Sequence, residues 1–236
     1  MELGKATQNY HLVALRAFLG WASKHDIETL PPNKVDLPGT DETEVSFLDS
    51  TMVAKLTAAP STKTRAGKRD RALLETLFST GLRVAELVRL DRTSVIGKDE
   101  VSVLGKGHKR RLVFLSPSAR EAIREYLHER TDSDDALFVR EWTGTKQRGG
   151  RLTARSVQRL IQEYAKQTGM TEHVTPHTLR HSFATDLLQS GADVRAVQAL
   201  LGHSSIVTTQ RYTHLTDQHL RDVHQAFHGR RRRKQS

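Results

Sequence analysis

One stretch of this chain, residues 100–116 (EVSVLGKGHKRRLVFLS), has the residue pattern of paired β-strands. Apolar and β-branched residues run on either side of a Gly-Lys-Gly sequence, which is typical of a short antiparallel hairpin with Lys106 in its turn. Elsewhere the apolar residues recur every three to four positions, which indicates amphipathic helices. The sequence therefore predicts a mainly α fold with one small antiparallel β-sheet.

Prolines, glycines and capping residues mark the predicted helix ends. Gly81 interrupts a helical pattern, so two helices are expected to meet at Thr80-Gly81. Pro117 starts a further helix, in which Ser118 and Glu121 have the spacing of a capping box. Three later helices are bounded by a cap and a glycine: Thr153 to Lys166 before Gly169, Thr175 and Pro176 to Gly191, and Asp193 to Gly202. A last amphipathic helix is predicted over residues 216–228, with Leu220, Val223 and Phe227 in line.

The first 38 residues form a separate segment. A helix is predicted from Asn9 to about Lys24, and the proline-rich run after it is typical of an interdomain linker. About 40 residues are too few to fold unaided, so we interpret the segment as part of a larger helical domain. The chain is divided accordingly into a partial N-terminal helical segment with its linker (1–38), a main domain (39–229) and a basic tail (230–236).

The chain is strongly basic, with 37 Lys and Arg residues against 27 Asp and Glu residues and a formal net charge of +10. Five consecutive cations, from Arg230 to Lys234, supply part of this positive charge. Without them the rest of the chain still has a net charge of about +5. This balance favours a polyanionic partner such as nucleic acid, although a basic solvated surface has the same composition.

No cysteine occurs, which excludes disulfides, thiolate metal sites and a cysteine nucleophile. The opening residues lack the basic and apolar regions of a signal peptide, and no window is long and apolar enough for a membrane span. We therefore expect a cytoplasmic protein.

Six scattered side chains have the chemistry that cleavage of a phosphodiester requires. Fixed guanidinium groups match the negative charge on a five-coordinate phosphorus. A tyrosine hydroxyl attacks when a positive field or a base assists it, and a lysine on a turn can protonate the departing sugar oxygen. The predicted site comprises Arg83, Lys106, His177, Arg180, His203 and Tyr212.

Each of these residues also has an ordinary structural interpretation. Tyr212 is compatible with a half-buried aromatic side chain, the arginines with surface ion pairs, and Lys106 with a solubilising turn residue. His177 and His181 are four residues apart, as in some metal sites. However, Arg180 between them would repel a cation, and no zincin carboxylate follows His177.

The chain resembles the tyrosine site-specific recombinases, or phage integrase family, and is most similar to their Xer-type members. The resemblance rests on three stretches, which follow the family's order over most of residues 45–225: STGLRVAELVRL, LGKGHKRRLVFLS and TPHTLRHSFATDLLQSGADVRAVQALLGHSSIVTTQRYTHL.

The resemblance implies a role for each matched residue. Arg83 and Arg180 would contact the scissile phosphate, with Glu86 bracing the site. His177 and His203 would support phosphate contact and proton transfer. Lys106 would protonate the leaving 5′ oxygen, and Tyr212 would be the nucleophile.

The resemblance also implies a metal- and ATP-independent enzyme without a cofactor, acting on double-stranded DNA at a specific target site. Strands would be cleaved and rejoined through a 3′-phosphotyrosyl intermediate and a Holliday junction, and protomers would form dimers and tetramers on DNA by exchanging the C-terminal helix. Packing of that helix within its own chain is the other possibility. The alternative functions are type IB topoisomerase-like DNA relaxation and a non-catalytic DNA-binding module.

Family members generally carry a complete N-terminal helical domain that closes a clamp around DNA, whereas only its last helix and linker are recognised in this sequence. We expect either a truncated piece or a minimal form. DNA binding is expected to be weak and strongly salt-sensitive, because the missing half of the clamp would have contributed phosphate contacts.

Overall fold

The computed structural model describes residues 4–37, 47–105, 110–140, 150–202 and 217–228. The chain divides into two compact units, Met1–Glu44 and Val45–Ser236. The predicted boundary between residues 38 and 39 falls outside the described ranges and stays a prediction.

The first unit contains one long helix, α1 (Lys5–Lys24), and a 3-10 turn at Pro32–Lys34. The predicted helix is confirmed and begins four residues before Asn9. Phe18 and Trp21 stack on each other, yet they are 60% and 53% exposed. One helix and a turn therefore leave large apolar side chains uncovered within this unit, as expected for so short a segment.

Within the described residues, the second unit contains one hairpin and nine helices. The strands are β1 (Glu100–Leu104) and β2 (Arg110–Phe114). The helices are α2 (Ser50–Ala58), α3 (Arg65–Thr80), α4 (Val84–Leu87), α5 (Arg92–Val95), α6 (Pro117–His128), α7 (Ala154–Gln167), α8 (Pro176–Gln189), α9 (Val194–Leu201) and α10 (Asp217–Phe227). None of the described helices is both long and apolar enough to cross a lipid bilayer.

The helix α3 lies at the centre of the second unit, with twelve of its sixteen residues buried, and it packs against α6 and α8. It ends at Gly81, whose φ of +59° lies in the left-handed region. A Cβ at Gly81 would lie 2.5 Å from Cδ1 of Phe183 in α8. The predicted break between two helices therefore depends on glycine both for its backbone conformation and for close packing of α8.

The two strands pair in antiparallel fashion, with Val101 opposite Val113 and Val103 opposite Arg111. Residues opposite each other share one face of the sheet. All three valines are buried, so that face packs on the core. This two-stranded sheet is the only one in the described part of the chain, and it confirms the mainly α fold with a small antiparallel sheet.

One predicted helix cap is wrong. Ser116, not Ser118, caps α6, because its Oγ accepts a hydrogen bond from the backbone N–H of Ala119 at 3.2 Å. Pro117 occupies the first helical position, where its missing N–H costs nothing, so the cap is the residue before it. The other predicted caps, of α7, α8 and α9, are confirmed: Thr153, Thr175 and Asp193.

The C-terminal helix α10 packs within its own chain, against β2, α8 and α9. Val223, His224 and His228 are all buried there. The ring Nε2 of His224 donates a hydrogen bond to the carbonyl oxygen of Ser79 at 2.7 Å, and Nδ1 of His228 lies 3.4 Å from the carboxylate of Asp186. Exchange of the C-terminal helix between protomers and packing within its own chain were the two possibilities. The single chain has the second.

Burial, together with the neighbouring His228, lowers the pKa of His224 to about 3 despite the opposing effect of the hydrogen bond to Ser79. An unfolded histidine has a pKa near 6.5. The neutral ring therefore contributes stability that is fully present above about pH 6.5 and is lost progressively as the pH falls towards 3.

We expect the second unit to lose about 2 kcal/mol of its free energy of unfolding between pH 7.5 and pH 5 through His224 alone. Urea unfolding at the two pH values measures this loss. In the His224→Gln variant the amide can still donate to Ser79 but does not titrate, so the loss should be smaller. The same pH dependence in both proteins would contradict the assignment to His224.

Candidate active site

The break after α3 brings two of the predicted arginines side by side. Arg83 is the N-cap of α4, and Arg180 is the fifth residue of α8. Nη2 of Arg180 donates to the carbonyl oxygen of Leu201 at 2.7 Å, and Nη2 of Arg83 lies 3.5 Å from that of Gly202. The two guanidinium groups therefore meet at adjacent carbonyls, at the end of α9.

The side chain of Arg180 is held in a fixed position by backbone groups. Its Nη1 donates to the carbonyl oxygen of Gly81, and the residue is only 5% exposed. Burial, together with the charges of Arg83 and Arg111, lowers the pKa of Arg180 to about 10. At neutral pH the group nevertheless remains protonated, so a positive charge is fixed beneath the surface at this point.

The side chain of Arg83 is 39% exposed and has an outer edge open to a ligand. Its Nη1 donates to Oε1 of Glu86 at 3.1 Å, and its backbone N–H donates to Oε2 of the same carboxylate at 2.9 Å. Glu86 thus fixes both the backbone and the guanidinium of Arg83, which is the bracing position that the resemblance implies for it.

Arg111, on β2, binds the same carboxylate with two parallel hydrogen bonds. Nη1 lies 2.9 Å from Oε1 and Nη2 lies 2.7 Å from Oε2 of Glu86, while Nε donates to the carbonyl oxygen of Leu200 at 3.2 Å. Burial raises the pKa of Glu86, but the hydrogen bonds and charge of Arg111, together with Arg83, outweigh it and lower this pKa to about 2. Glu86 is therefore ionised at any working pH.

We call Arg83, Arg111 and Arg180 the arginine cluster. Arg83 and Arg111 bind the carboxylate of Glu86, whereas Arg180 binds only backbone carbonyls, so three cations and one anion leave the cluster with a net positive charge. Fixed guanidinium groups of this kind suit a phosphate, whose oxygens accept charge-assisted hydrogen bonds in two directions. The arrangement can hold an anionic phosphorus centre without a metal ion.

His177 lies on the first turn of α8 but does not share the surroundings of Arg180. It is exposed, and its Nε2 lies 3.1 Å from Nε2 of His181. Burial, His177 and Arg180 together lower the pKa of His181. The lowered pKa favours the neutral ring of His181. Across the described ranges no group of three or more His, Asp or Glu side chains is arranged to hold a metal.

Three of the predicted site residues lie outside the described residues: Lys106, His203 and Tyr212. Gly202, whose carbonyl oxygen lies 3.5 Å from Nη2 of Arg83, immediately precedes His203, and the paired strands flank the segment with Lys106. The roles of these three residues stay predictions.

Two other tyrosines have surroundings that a nucleophile would not favour. Burial raises the pKa of Tyr126. It also raises the pKa of Tyr164, whose hydroxyl donates to the carboxylate of Asp70 at 3.0 Å. Because attack requires the ionised oxygen, neither hydroxyl is suited to displace a sugar.

The sequence interpretation did not include Arg111. A signal for it was present, since Val101 and Val103 alternate along the first strand and so define its buried face. The register then sets Arg111 opposite Val103, on that same face. A cation on the core side of a strand requires a buried partner, which here is Glu86.

The fold matches that of solved recombinases. The structure of XerH site-specific recombinase bound to palindromic difH substrate, in a post-cleavage complex, superposes with a TM-score of 0.70. The match covers 93% of this chain and 67% of that chain at 24% sequence identity. The second unit therefore has the fold of a site-specific recombinase catalytic domain.

Sequence comparisons agree. The profile described as the phage integrase family matches residues 46–219. Tyrosine recombinase XerC of Actinobacillus succinogenes is 40% identical over 228 residues, which is 94% of this chain and 75% of the relative. Tyrosine recombinase XerD of Lacticaseibacillus casei is 41% identical over 226 residues, 92% of this chain and 75% of the relative. The chain belongs to the phage integrase family, as an enzyme of the DNA strand transferase class that serves site-specific recombination.

Proposed function

We propose that this protein recombines double-stranded DNA by tyrosine-mediated cleavage and rejoining, through a 3′-phosphotyrosyl intermediate and a Holliday junction. The observation that carries the proposal is the pairing of Arg83 and Arg180 on adjacent carbonyls, beside the carboxylate of Glu86. Two guanidinium groups fixed in this way match the charge that develops on a phosphodiester under attack.

In the proposed cleavage step, the hydroxyl oxygen of Tyr212 forms a bond to phosphorus while the bond from phosphorus to the 5′ oxygen breaks. Arg83 and Arg180 stabilise the negative charge on the non-bridging oxygens. Lys106 supplies a proton to the 5′ oxygen, and His177 and His203 assist proton movement at the tyrosine and the phosphate. One phosphodiester replaces another, so the attack of a second strand's 5′ hydroxyl reverses the step without ATP.

Double-stranded DNA with a specific target site is the proposed partner. The formal charge of +10 favours a polyanion, and the structural neighbour XerH is described in complex with its difH substrate. A protein that acts on chromosomal or plasmid DNA works in the cytoplasm, which is the proposed location.

Protomers are further proposed to associate on DNA by exchanging α10. In the single chain, α10 buries Val223, His224 and His228 against β2, α8 and α9. The same buried surface would accept α10 from a neighbouring copy, since exchange of an identical element makes the same contacts in trans.

The absence of native cysteines allows a direct test of this exchange. Nδ1 of His228 and the carboxylate of Asp186 approach within 3.4 Å, so cysteines at both positions in one chain lie within reach of a short bis-maleimide crosslinker, and we expect it to link them. When Asp186→Cys and His228→Cys protein are mixed as single variants, we expect linked dimers only after target DNA is added. Monomers throughout would contradict the exchange, and linked dimers without DNA would contradict its dependence on DNA. Denaturing gel electrophoresis measures both.

The central experiment traps the covalent intermediate. A pool of nicked suicide duplexes with random sequence around the nick loses the short 5′-hydroxyl strand after cleavage, so the enzyme cannot reverse the step. We expect a protein–DNA adduct joined to the 3′ phosphate, and sequencing the trapped DNA identifies the target. A protein that binds DNA but gives no adduct is a binding module. Relaxation of a supercoiled plasmid that lacks the recovered site would instead indicate a topoisomerase.

A further inference from the structure

Arg111 connects three separate elements of the second unit. It is carried by β2, it binds both carboxylate oxygens of Glu86 on α4, and its Nε donates to the carbonyl of Leu200 on α9. Its side chain is 11% exposed. So little exposed surface leaves it poorly suited to contact DNA directly.

The end of α9 is held by the whole arginine cluster. Three consecutive carbonyl oxygens, of Leu200, Leu201 and Gly202, accept from three different arginines, which are Arg111, Arg180 and Arg83 in that order. The last carbonyls of a helix have no partner within the helix and carry partial negative charge. Three cations therefore satisfy one helix end and are themselves held in order by it.

Gly202 allows Arg111 to pass close to the helix end. Its φ is +64°, and a Cβ at this position would lie 2.8 Å from Cδ of Arg111. The close approach brings the stem of Arg111 against the backbone at the residue that immediately precedes His203. Strand β2, the end of α9 and the start of α4 thus meet through one side chain.

We propose that Arg111 is a positioning residue for strand cleavage: it clamps Glu86 and the end of α9, and so fixes the guanidinium of Arg83 in the phosphate site. This inference rests on the proposed function. Arg111 acts through Glu86 and the α9 carbonyl and does not touch the phosphate. Its removal therefore affects the rate of the chemical step and leaves the affinity for DNA nearly unchanged.

The geometry requires the guanidinium fork. A lysine ammonium is a single point and cannot bind two carboxylate oxygens and the Leu200 carbonyl together. We therefore expect Arg111→Lys to slow cleavage by about 10-fold and Arg111→Met by about 100-fold, because displacement of a catalytic group by an ångström can cost a rate factor of that order.

The test uses single-turnover cleavage of the suicide duplex recovered from the random pool, at saturating protein. Cleavage rate, dissociation constant for the same duplex and urea unfolding are measured for the intact protein, Arg111→Lys and Arg111→Met. The control is Arg124→Met, which breaks an Arg–Glu pair of the same kind with Glu121 on the exposed surface of α6. We expect the dissociation constant to change less than about 3-fold in all of them and the control to cleave at the normal rate.

A double variant separates positioning from simple charge balance. Arg111→Met leaves the carboxylate of Glu86 with one cationic partner fewer, which destabilises a buried charge. The variant Glu86→Gln with Arg111→Met removes that charge. If Arg111 positions the site, this double variant cleaves more slowly than Glu86→Gln alone, because the end of α9 has lost the hydrogen bond from Arg111. Equal rates for the double variant and Glu86→Gln would overturn the proposal and assign Arg111 to neutralisation alone.

The remaining outcomes are equally decisive. Folded Arg111→Met protein that cleaves at the normal rate would restrict Arg111 to stability and overturn the positioning role. So would a parallel loss of DNA affinity, which would indicate a binding role. If the intact protein forms an adduct, the proposed function stands whichever of these results is found. If the intact protein forms no adduct, the proposed function and the positioning role of Arg111 are both overturned.

Discussion

The Tyr212→Phe variant is expected to bind duplex DNA with unchanged affinity and to form no covalent adduct. Loss of one oxygen atom removes the nucleophile while the aromatic ring is retained. The measurement is the adduct band on the nicked suicide duplex, together with a binding titration on an intact duplex. An undiminished adduct would mean that another hydroxyl attacks and would end the assignment of Tyr212.

The matched control for this experiment is Tyr164→Phe. The Tyr164 hydroxyl donates to Asp70 and its pKa is raised, so its loss should weaken stability by about 1 kcal/mol without affecting the adduct. If both tyrosine variants lost the adduct, a general effect on folding would be the cause, and unfolding curves would reveal it.

Replacement of Arg180 by methionine is expected to have two separate effects. The cleavage rate should fall on the order of 100- to 1,000-fold, because a fixed donor to the developing charge is lost. The free energy of unfolding should also fall by about 3 kcal/mol, since the carbonyl groups of Gly81 and Leu201 lose their hydrogen-bond donor in a buried setting. Single-turnover cleavage and urea unfolding measure the two effects independently.

Arg130 provides the matched control for Arg180. Its side chain is 1% exposed and donates to the carbonyls of Ala136 and Leu137, neither of which belongs to the arginine cluster. Arg130→Met should therefore reduce stability by a similar amount while folded protein cleaves at the normal rate. Equal slowing by the two variants would show that lost stability, and not a lost phosphate contact, explains the effect of Arg180→Met.

Helix ends were the most predictable part of the fold, because single residues determine them. Gly81 and Gly202 both have positive φ at the ends of helices, and Thr175 with Pro176 defines the start of α8. Two helices were not predicted, and the reasons differ. The helix α5 has only four residues, too few to give a periodic pattern. The helix α2 does carry a signal, since the carboxylate of Asp49 caps it by accepting from Met52 at 2.7 Å.

The residues of the candidate site with catalytic side-chain types could be predicted from the sequence. The residues that only support them through contacts could not. Arg83 and Arg180 were expected to converge, and the structure brings them together at the end of α9. Whether they act on a phosphate stays a prediction. Arg111 was missed because its contacts depend on the strand register and on Glu86, which is 25 residues away in sequence. The spacing of motifs shows neither the register nor this contact.

The shared helix end has a consequence for how the site responds to motion. The two arginines proposed to hold the phosphate are tied, along with Arg111, to neighbouring peptide units of one short helix, so none of the three can shift alone without losing a bond that the others keep. If the last turn of α9 unwound or slid, all three guanidinium groups would lose a hydrogen bond at once, and they would keep only their contacts with Glu86 and with the carbonyl of Gly81. Movement of this one helix end therefore loosens the three arginines together.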